Sequence, residues 1–184
     1  PLVVLLLCAC GSSDDDENTP PDPEPPPQRG ELIGAPALVA SYSPDELLAL
    51  ASSNDVTQLL VEEILTPDCS IDVYHFEYQT VDPAGDITPA SAALMVPNDS
   101  ATSCQGERPI VLYAHGTNTN KAFNIANLEA SDNSEALLMA GVFAAEGYIV
   151  VAPNYAGYDT STLGYHPYLN GDQQSKDMID ALTA

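Results

Sequence analysis

The chain has 184 residues, 45% of them hydrophobic, which is enough for one domain with a real core or for part of a larger one. Four Lys and Arg stand against 27 Asp and Glu, a formal net charge of −23. That balance excludes a nucleic-acid-binding surface and makes anionic membrane surfaces and acidic substrates poor partners. The acidity is not confined to a tail, since residues 1–36 hold seven acids and one Arg while residues 37–184 hold 20 acids and three bases. So acidic a folded part points to a salty working environment, where screening relieves self-repulsion.

The opening run PLVVLLLCAC is apolar but too short to span a bilayer, and no basic segment precedes it. It reads as the end of a signal peptide, residues 1–9. Leu7-Cys8-Ala9-Cys10 resembles a bacterial lipobox, which implies cleavage after Ala9 and acylation of Cys10. The next residue is Gly11 rather than the Asp associated with inner-membrane retention, so the expected location is the outer membrane or cell surface. Acyl chains at Cys10 would hold the protein to a membrane at roughly 0.8 kcal/mol per buried methylene. Residues 10–36 have many prolines and clustered acids, and few large apolar residues. Such a segment cannot bury a core and is expected to be a disordered tether, extended over about 80 Å by proline and charge repulsion. The run Asp14-Asp15-Asp16-Glu17-Asn18 lacks the alternating spacing and the glycine of a calcium loop, and reads as solvated.

The folded part is expected over 37–184. Ser43, Pro44 and Glu46 have the spacing of a capping box with proline at the first helical position, opening a short helix. Residues 54–65 predict a second helix, closed by Thr66-Pro67. IDVYHFEYQTV alternates, with Tyr74, Phe76 and Tyr78 on one face; DPAGD is a turn; ITPASAALMVP returns. These predict an antiparallel pair. PIVLYAH and YIVVAPN are instead continuous apolar runs, as expected of parallel strands covered on both faces. Between them Asp132 and Glu135 have capping-box spacing, Leu137, Leu138, Val142 and Phe143 supply an apolar stripe, and Gly147 fits the helix end. Residues 171–184 are helical in pattern and stop without a Gly, a Pro or basic residues, which reads as a fragment. An antiparallel hairpin leading into parallel strands with crossover helices indicates an α/β sheet. Cys69 precedes the first hairpin strand and Cys104 follows the second, so hairpin geometry brings them together and an exported domain permits a disulfide. A metal site is disfavoured, because only His75 lies near Cys69 and no other Cys or His accompanies Cys104.

In parallel α/β sheets ligands bind beyond the carboxyl ends of the strands. His115-Gly116-Thr117 lies at one such end, and Asn154-Tyr155-Ala156-Gly157-Tyr158 at the other. Together, HGT after an apolar strand, EGYIVVAPNYAGYDTS and GYHPYLNGDQQSKDMIDAL resemble bacterial α/β-hydrolases related to the secretory lipases, over roughly residues 40–184. The resemblance implies the amino-terminal part of an α/β-hydrolase fold and a serine esterase or lipase acting on a small-molecule or lipid ester without metal or cofactor. It implies a G-x-S-x-G nucleophile, with Asp and His later. No G-x-S-x-G is present, so the triad is expected after Ala184 and the chain itself is expected to be inactive. The resemblance carries over Gly116 and Thr117 as backbone oxyanion donors. The family often has Asp where Asn154 stands. His115, Asn154, Tyr155 and Tyr158 are candidates for the substrate pocket, and Tyr165 joins them; the alternative is that the tyrosines pack the loop.

His115 reads as a brace of its turn, His75 as an ordinary half-buried or surface residue, and His166 as structural, with substrate contact as its alternative. Asp159, Asp172 and Asp180 read as solvent-facing or helix-capping acids. Asn98-Asp99-Ser100 fits a glycosylation acceptor in form only, given the bacterial lipobox. Two other functions compete with the esterase: a serine peptidase of the same fold, and a non-catalytic surface lipoprotein that binds through the fold.

Overall fold

The computed structural model describes residues 25–59 and 65–184. The signal run, Cys10, residues 10–24 of the tether and residues 60–64 of the second expected helix lie outside the described residues.

Five strands form one sheet in the order β1-β2-β3-β5-β4. They are β1 (Leu32–Tyr42), β2 (Ile71–Val81), β3 (Ile87–Pro97), β4 (Ile110–Leu112) and β5 (Ile149–Pro153). The first three and β5 pair antiparallel, whereas β4 and β5 pair parallel through Val111 and Val150. Among the described residues three helices accompany them: α1 (Pro44–Ser53), α2 (Ser134–Val142) and α3 (Gly171–Thr183). This is the α/β arrangement read from the sequence, with a hairpin leading into a parallel pair.

Alternation sets the two faces. Ile71 and Val73 of β2, Ala93 and Met95 of β3, and Val150 and Ala152 of β5 join the larger core under α1 and α2. Phe76 and Tyr78, Ala90 and Ala92, and Val151 point the other way and meet Ala181 of α3. The hairpin turn is held by Asp82, whose Oδ1 accepts from the N–H groups of Ala84 at 2.8 Å and Asp86 at 3.0 Å. Cys69 and Cys104 are joined, with Cα atoms 5.7 Å apart, tying the start of β2 to the 3-10 turn after β3.

The helix starts differ. Ser43 caps α1, its hydroxyl accepting from Glu46 N while the Glu46 carboxylate accepts from Ser43 N, with Pro44 at the first position. At α2 the capping box expected from Asp132 and Glu135 does not form. Asn133 is the residue before the helix, and its amide instead donates to the carbonyls of Asn124 and Asn127. Gly147 follows the 3-10 turn after α2 with φ 96°, where a Cβ would lie 2.5 Å from the Ser103 carbonyl oxygen.

Three further boundaries depart from the sequence reading. The folded part starts before residue 37: β1 begins at Leu32, and Arg29 is ion-paired to Asp180 of α3 at 3.0 Å. The expected tether therefore ends short of residue 36. Of the helix expected over 54–65, Thr57–Leu59 forms a 3-10 turn. In the described sheet β4 stands at the edge, and its Ile110 is 55% exposed where cover on both faces was expected. Among the described residues no helix is long and apolar enough to cross a membrane.

Candidate active site

Parallel pairing of β4 with β5 sends both chains out of the sheet side by side. Tyr113 N still donates to Val151 O at 2.9 Å, and His115-Gly116-Thr117 and Asn154-Tyr155-Ala156 follow immediately. His115 fills the space between the two turns. Its ring stacks on Tyr155 at 4.3 Å and lies 4.8 Å from Phe123. Nδ1 lies 2.7 Å from Gly116 O and Nε2 3.3 Å from Asn154 O. Burial lowers the His115 pKa, against the pull of those carbonyls, so the ring is held neutral. A neutral ring has one N–H, and here it faces only backbone acceptors. His115 is the brace between the turns, not a base.

Asn154 is fully buried and its polar groups are used inside the protein. Its Oδ1 accepts from Ile125 N at 2.7 Å, Nδ2 donates to Ser91 Oγ at 2.8 Å, and its N–H donates to Ser91 O at 2.8 Å. Asn154, a pocket candidate in the sequence, is thus not among the residues that line the neighbouring cleft. An amide suits this place where an acid would not, because it must both accept from Ile125 and donate to Ser91.

The loop after β5 is tightly wound. Tyr155 (φ 67°), Asp159 (φ 47°) and Leu169 (φ 58°) all have left-handed backbone, an uncommon conformation for bulky residues. Several anchors hold it. Tyr155 O–H donates to His115 O at 3.2 Å, and Asp177 Oδ2 of α3 accepts from Ala156 N at 3.0 Å. Lys121 donates to the carbonyls of Gly157 at 3.2 Å, Ser161 at 3.4 Å and Leu163 at 2.8 Å. Asp159 accepts from His75 and from Ser91 Oγ, each at 2.7 Å. The hydrogen bond to Asp159 raises the His75 pKa. Burial pushes the Asp159 carboxyl up, but His75 and Ser91 outweigh it and hold the carboxyl below its ordinary range. Asp159 is thus half-buried and paired, not solvent-facing. Asp180 is also buried, against Arg29 and Thr80, whereas Asp172 is exposed and pairs with Lys176 at 2.6 Å.

His75, Asp159 and Ser91 are the residue types of a catalytic triad in the wrong order. The serine bonds the acid rather than the histidine, and Ser91 is wholly buried. The cluster is a fastening of the loop.

These anchors leave a cleft of about 180 Å³ over the two turns. His115, Gly116, Thr117, Tyr155, Tyr158, His166, Tyr168, Leu169 and Gln174 line it. His166 stacks on Tyr158 at 4.5 Å and meets Tyr168 edge-on at 4.7 Å, while its Nδ1 lies 2.9 Å from Ala156 O. Tyr158 and Tyr168 both donate to Asn118 O. His166 and Tyr168 share no periodicity with the strand ends, so only the loop's winding reveals them. Tyr165 is not part of the lining: it is 57% exposed, and its carbonyl backs Gly157. Among the described residues no serine or cysteine lines the cleft. Among the described residues no group of three or more His, Cys, Asp or Glu is placed to hold a metal ion.

The two expected oxyanion donors differ. Gly116 N–H is already engaged, donating to Glu135 Oε2 at 2.8 Å. Thr117 is exposed at the cleft, and its N–H has no partner within the described residues. Sequence reading missed Glu135 because its position three after Asp132 already had an explanation.

No protein-family model and no curated protein matches the chain. Solved structures do. A ligand-bound form of the rice cell wall degrading esterase LipA from Xanthomonas oryzae matches with TM-score 0.70 and 28% identity, over 86% of this chain and 37% of that chain. Another crystal structure of that esterase gives 0.69 and 30% over the same shares. A candidate hydrolase from Legionella pneumophila gives 0.64 at 22% identity, over 83% of this chain and 38% of that one, a likeness of fold alone. The chain spans little more than a third of the length of these structures, and what it shares with them is an esterase-like α/β fold.

Proposed function

We propose that the full-length protein is a carboxylic-ester hydrolase of esterase or lipase type, exported and lipid-anchored, to which this chain contributes the oxyanion turn and one wall of the substrate cleft. One observation carries the reading. An unpartnered N–H, that of Thr117, borders an aromatic cleft at the carboxyl end of a parallel strand. The similarity of the surrounding fold to the esterase LipA supports it. Acyl transfer needs such a donor at the oxygen that becomes charged. The substrate is a small-molecule or lipid ester, whose apolar part would lie on Tyr155, Tyr158 and Tyr168. The nucleophilic serine, the acid and the base of a Ser–His–Asp mechanism are placed outside residues 1–184, since the sequence holds no G-x-S-x-G. The second oxyanion donor would follow that serine. This mechanism uses no metal or cofactor.

The test is the full-length protein with a fluorophosphonate serine probe and a series of p-nitrophenyl esters. Covalent labelling with ester turnover is the expected result. Labelling with amide but no ester turnover would favour a peptidase, and no labelling would mean a binding protein. Export and anchoring through Cys10 predict incorporation of a palmitate analogue that Cys10→Ser abolishes.

A further inference from the structure

We infer that Glu135 is a positioning residue that sets which N–H of the His115-Gly116-Thr117 turn faces the oxyanion. The inference rests on the ester-hydrolase reading and deepens it. One oxygen of Glu135 takes two bonds: Oε2 accepts from Tyr113 O–H at 2.7 Å and from Gly116 N–H at 2.8 Å. The carboxylate thus joins the residue that leaves β4 to the turn three residues later. Gly116 is matched to this contact, since a Cβ there would lie 2.8 Å from Glu135 Oε1.

The anchor behind the carboxylate is firm. Glu135 is in the first turn of α2, where the helix dipole favours a negative charge. The helix is rooted in the core by Ala136, Leu137 and Ala140. Glu135 makes no hydrogen bond to the start of its own helix, as a capping residue would. Its carboxylate is spent on the turn. With Gly116 N–H tied to Glu135, the peptide that follows keeps a fixed orientation, and Thr117 N–H is left as the donor on the cleft side.

The experiment compares Glu135→Ala, Glu135→Asp and Glu135→Gln in the full-length enzyme. It measures kcat and KM with a p-nitrophenyl ester, and the affinity for a boronic acid that forms a tetrahedral adduct with the serine. Asp keeps the charge but is one methylene too short to reach both donors; Gln loses the charge but keeps an amide oxygen for both bonds. Removing an oxyanion donor outright lowers kcat by 10²–10³, so displacing one should lower it about 10-fold or more in Ala and Asp, with KM within about two-fold. Boronate affinity should fall in parallel, and Gln should recover most of the kcat that Ala loses. The inference is overturned if Ala and Asp keep the wild-type kcat, if kcat rises, if only KM changes, or if Gln falls as far as Ala. Should Ala fail to fold, the Gln and Asp pair still decides. A wild type that neither labels nor hydrolyses sinks the ester-hydrolase reading along with this one, whereas an active, labelled wild type indifferent to Glu135 sinks this inference alone.

Discussion

Gly157 shows how little freedom the cleft loop has. Its φ is 97°, and a Cβ there would lie 2.2 Å from the Tyr165 carbonyl oxygen and 2.6 Å from His166 Cα. Gly157→Ala is expected to destabilise the protein by about 3 kcal/mol or more, combining an unfavourable backbone with a backbone clash. Urea unfolding would measure it; a loss below about 1 kcal/mol would show that the loop can move aside. Asp177 is a residue whose charge bears on stability. It is fully buried, and burial raises its pKa to about 6 despite bonds from Ala156 N, Thr80 and Gln173. Thr80 has one hydroxyl hydrogen and lies 2.8 Å from carboxylate oxygens of both Asp177 and Asp180, so a proton on Asp177 completes the set. A carboxyl with a raised folded pKa stabilises below its ordinary value near 3.8 and loses that stability as pH rises toward about 6. The loss amounts to roughly 3 kcal/mol for a shift of that size. Asp177→Asn should therefore flatten the stability profile between those limits relative to wild type, measured as the difference of two melting series. A wild-type profile that rises through the window in step with the variant would refute it.

At the level of elements, legibility followed burial. The hairpin β2–β3 and the helix α1 were legible because alternation and a capping box are local signals, and both packed as those signals require. The strand β1 was not, because an edge strand with Gly34 and Pro36 and two register shifts shows no regular apolar pattern; most of Leu32–Tyr42 is exposed. Its partner β2 holds it by backbone bonds, which leave no trace in side-chain chemistry. The cleft was half legible for the same reason. His115, Gly116 and Thr117 end a strand, and the strand pattern points to them. His166, Tyr168 and Glu135 arrive from a wound loop and a helix, through contacts that no spacing encodes. The disulfide acts between elements too, linking residues 35 apart at the base of the hairpin. Reducing it should lower stability by about 4 kcal/mol, since a loop of that size regains its freedom in the unfolded chain. Denaturant unfolding with and without reductant measures this, and coincident curves would mean that the bond does not constrain the unfolded state.

For the molecule as a whole, the formal net charge of −23 dominates the electrostatics. Self-repulsion on this scale falls as the Debye length shrinks, so the melting temperature should rise steadily from low salt to about 1 M sodium chloride. A melting temperature independent of salt would mean that the acids are spaced widely enough not to interact. The scarce cations are placed at joints. Arg29 meets Asp180, Arg108 donates to the carbonyls of Pro97 and Cys104, Lys121 gathers three carbonyls, and Lys176 pairs within α3. This has a consequence for proteolysis. Trypsin cuts after Lys and Arg but not before proline, and Arg108 precedes Pro109, so only three bonds in the chain are open to it. The Lys121 side chain must leave its three carbonyls before a protease can seat it, which requires the cleft loop to let go. The rate of cutting at Lys121 then counts how often the loop opens, and a ligand that fills the cleft should slow that one cut and leave the others alone.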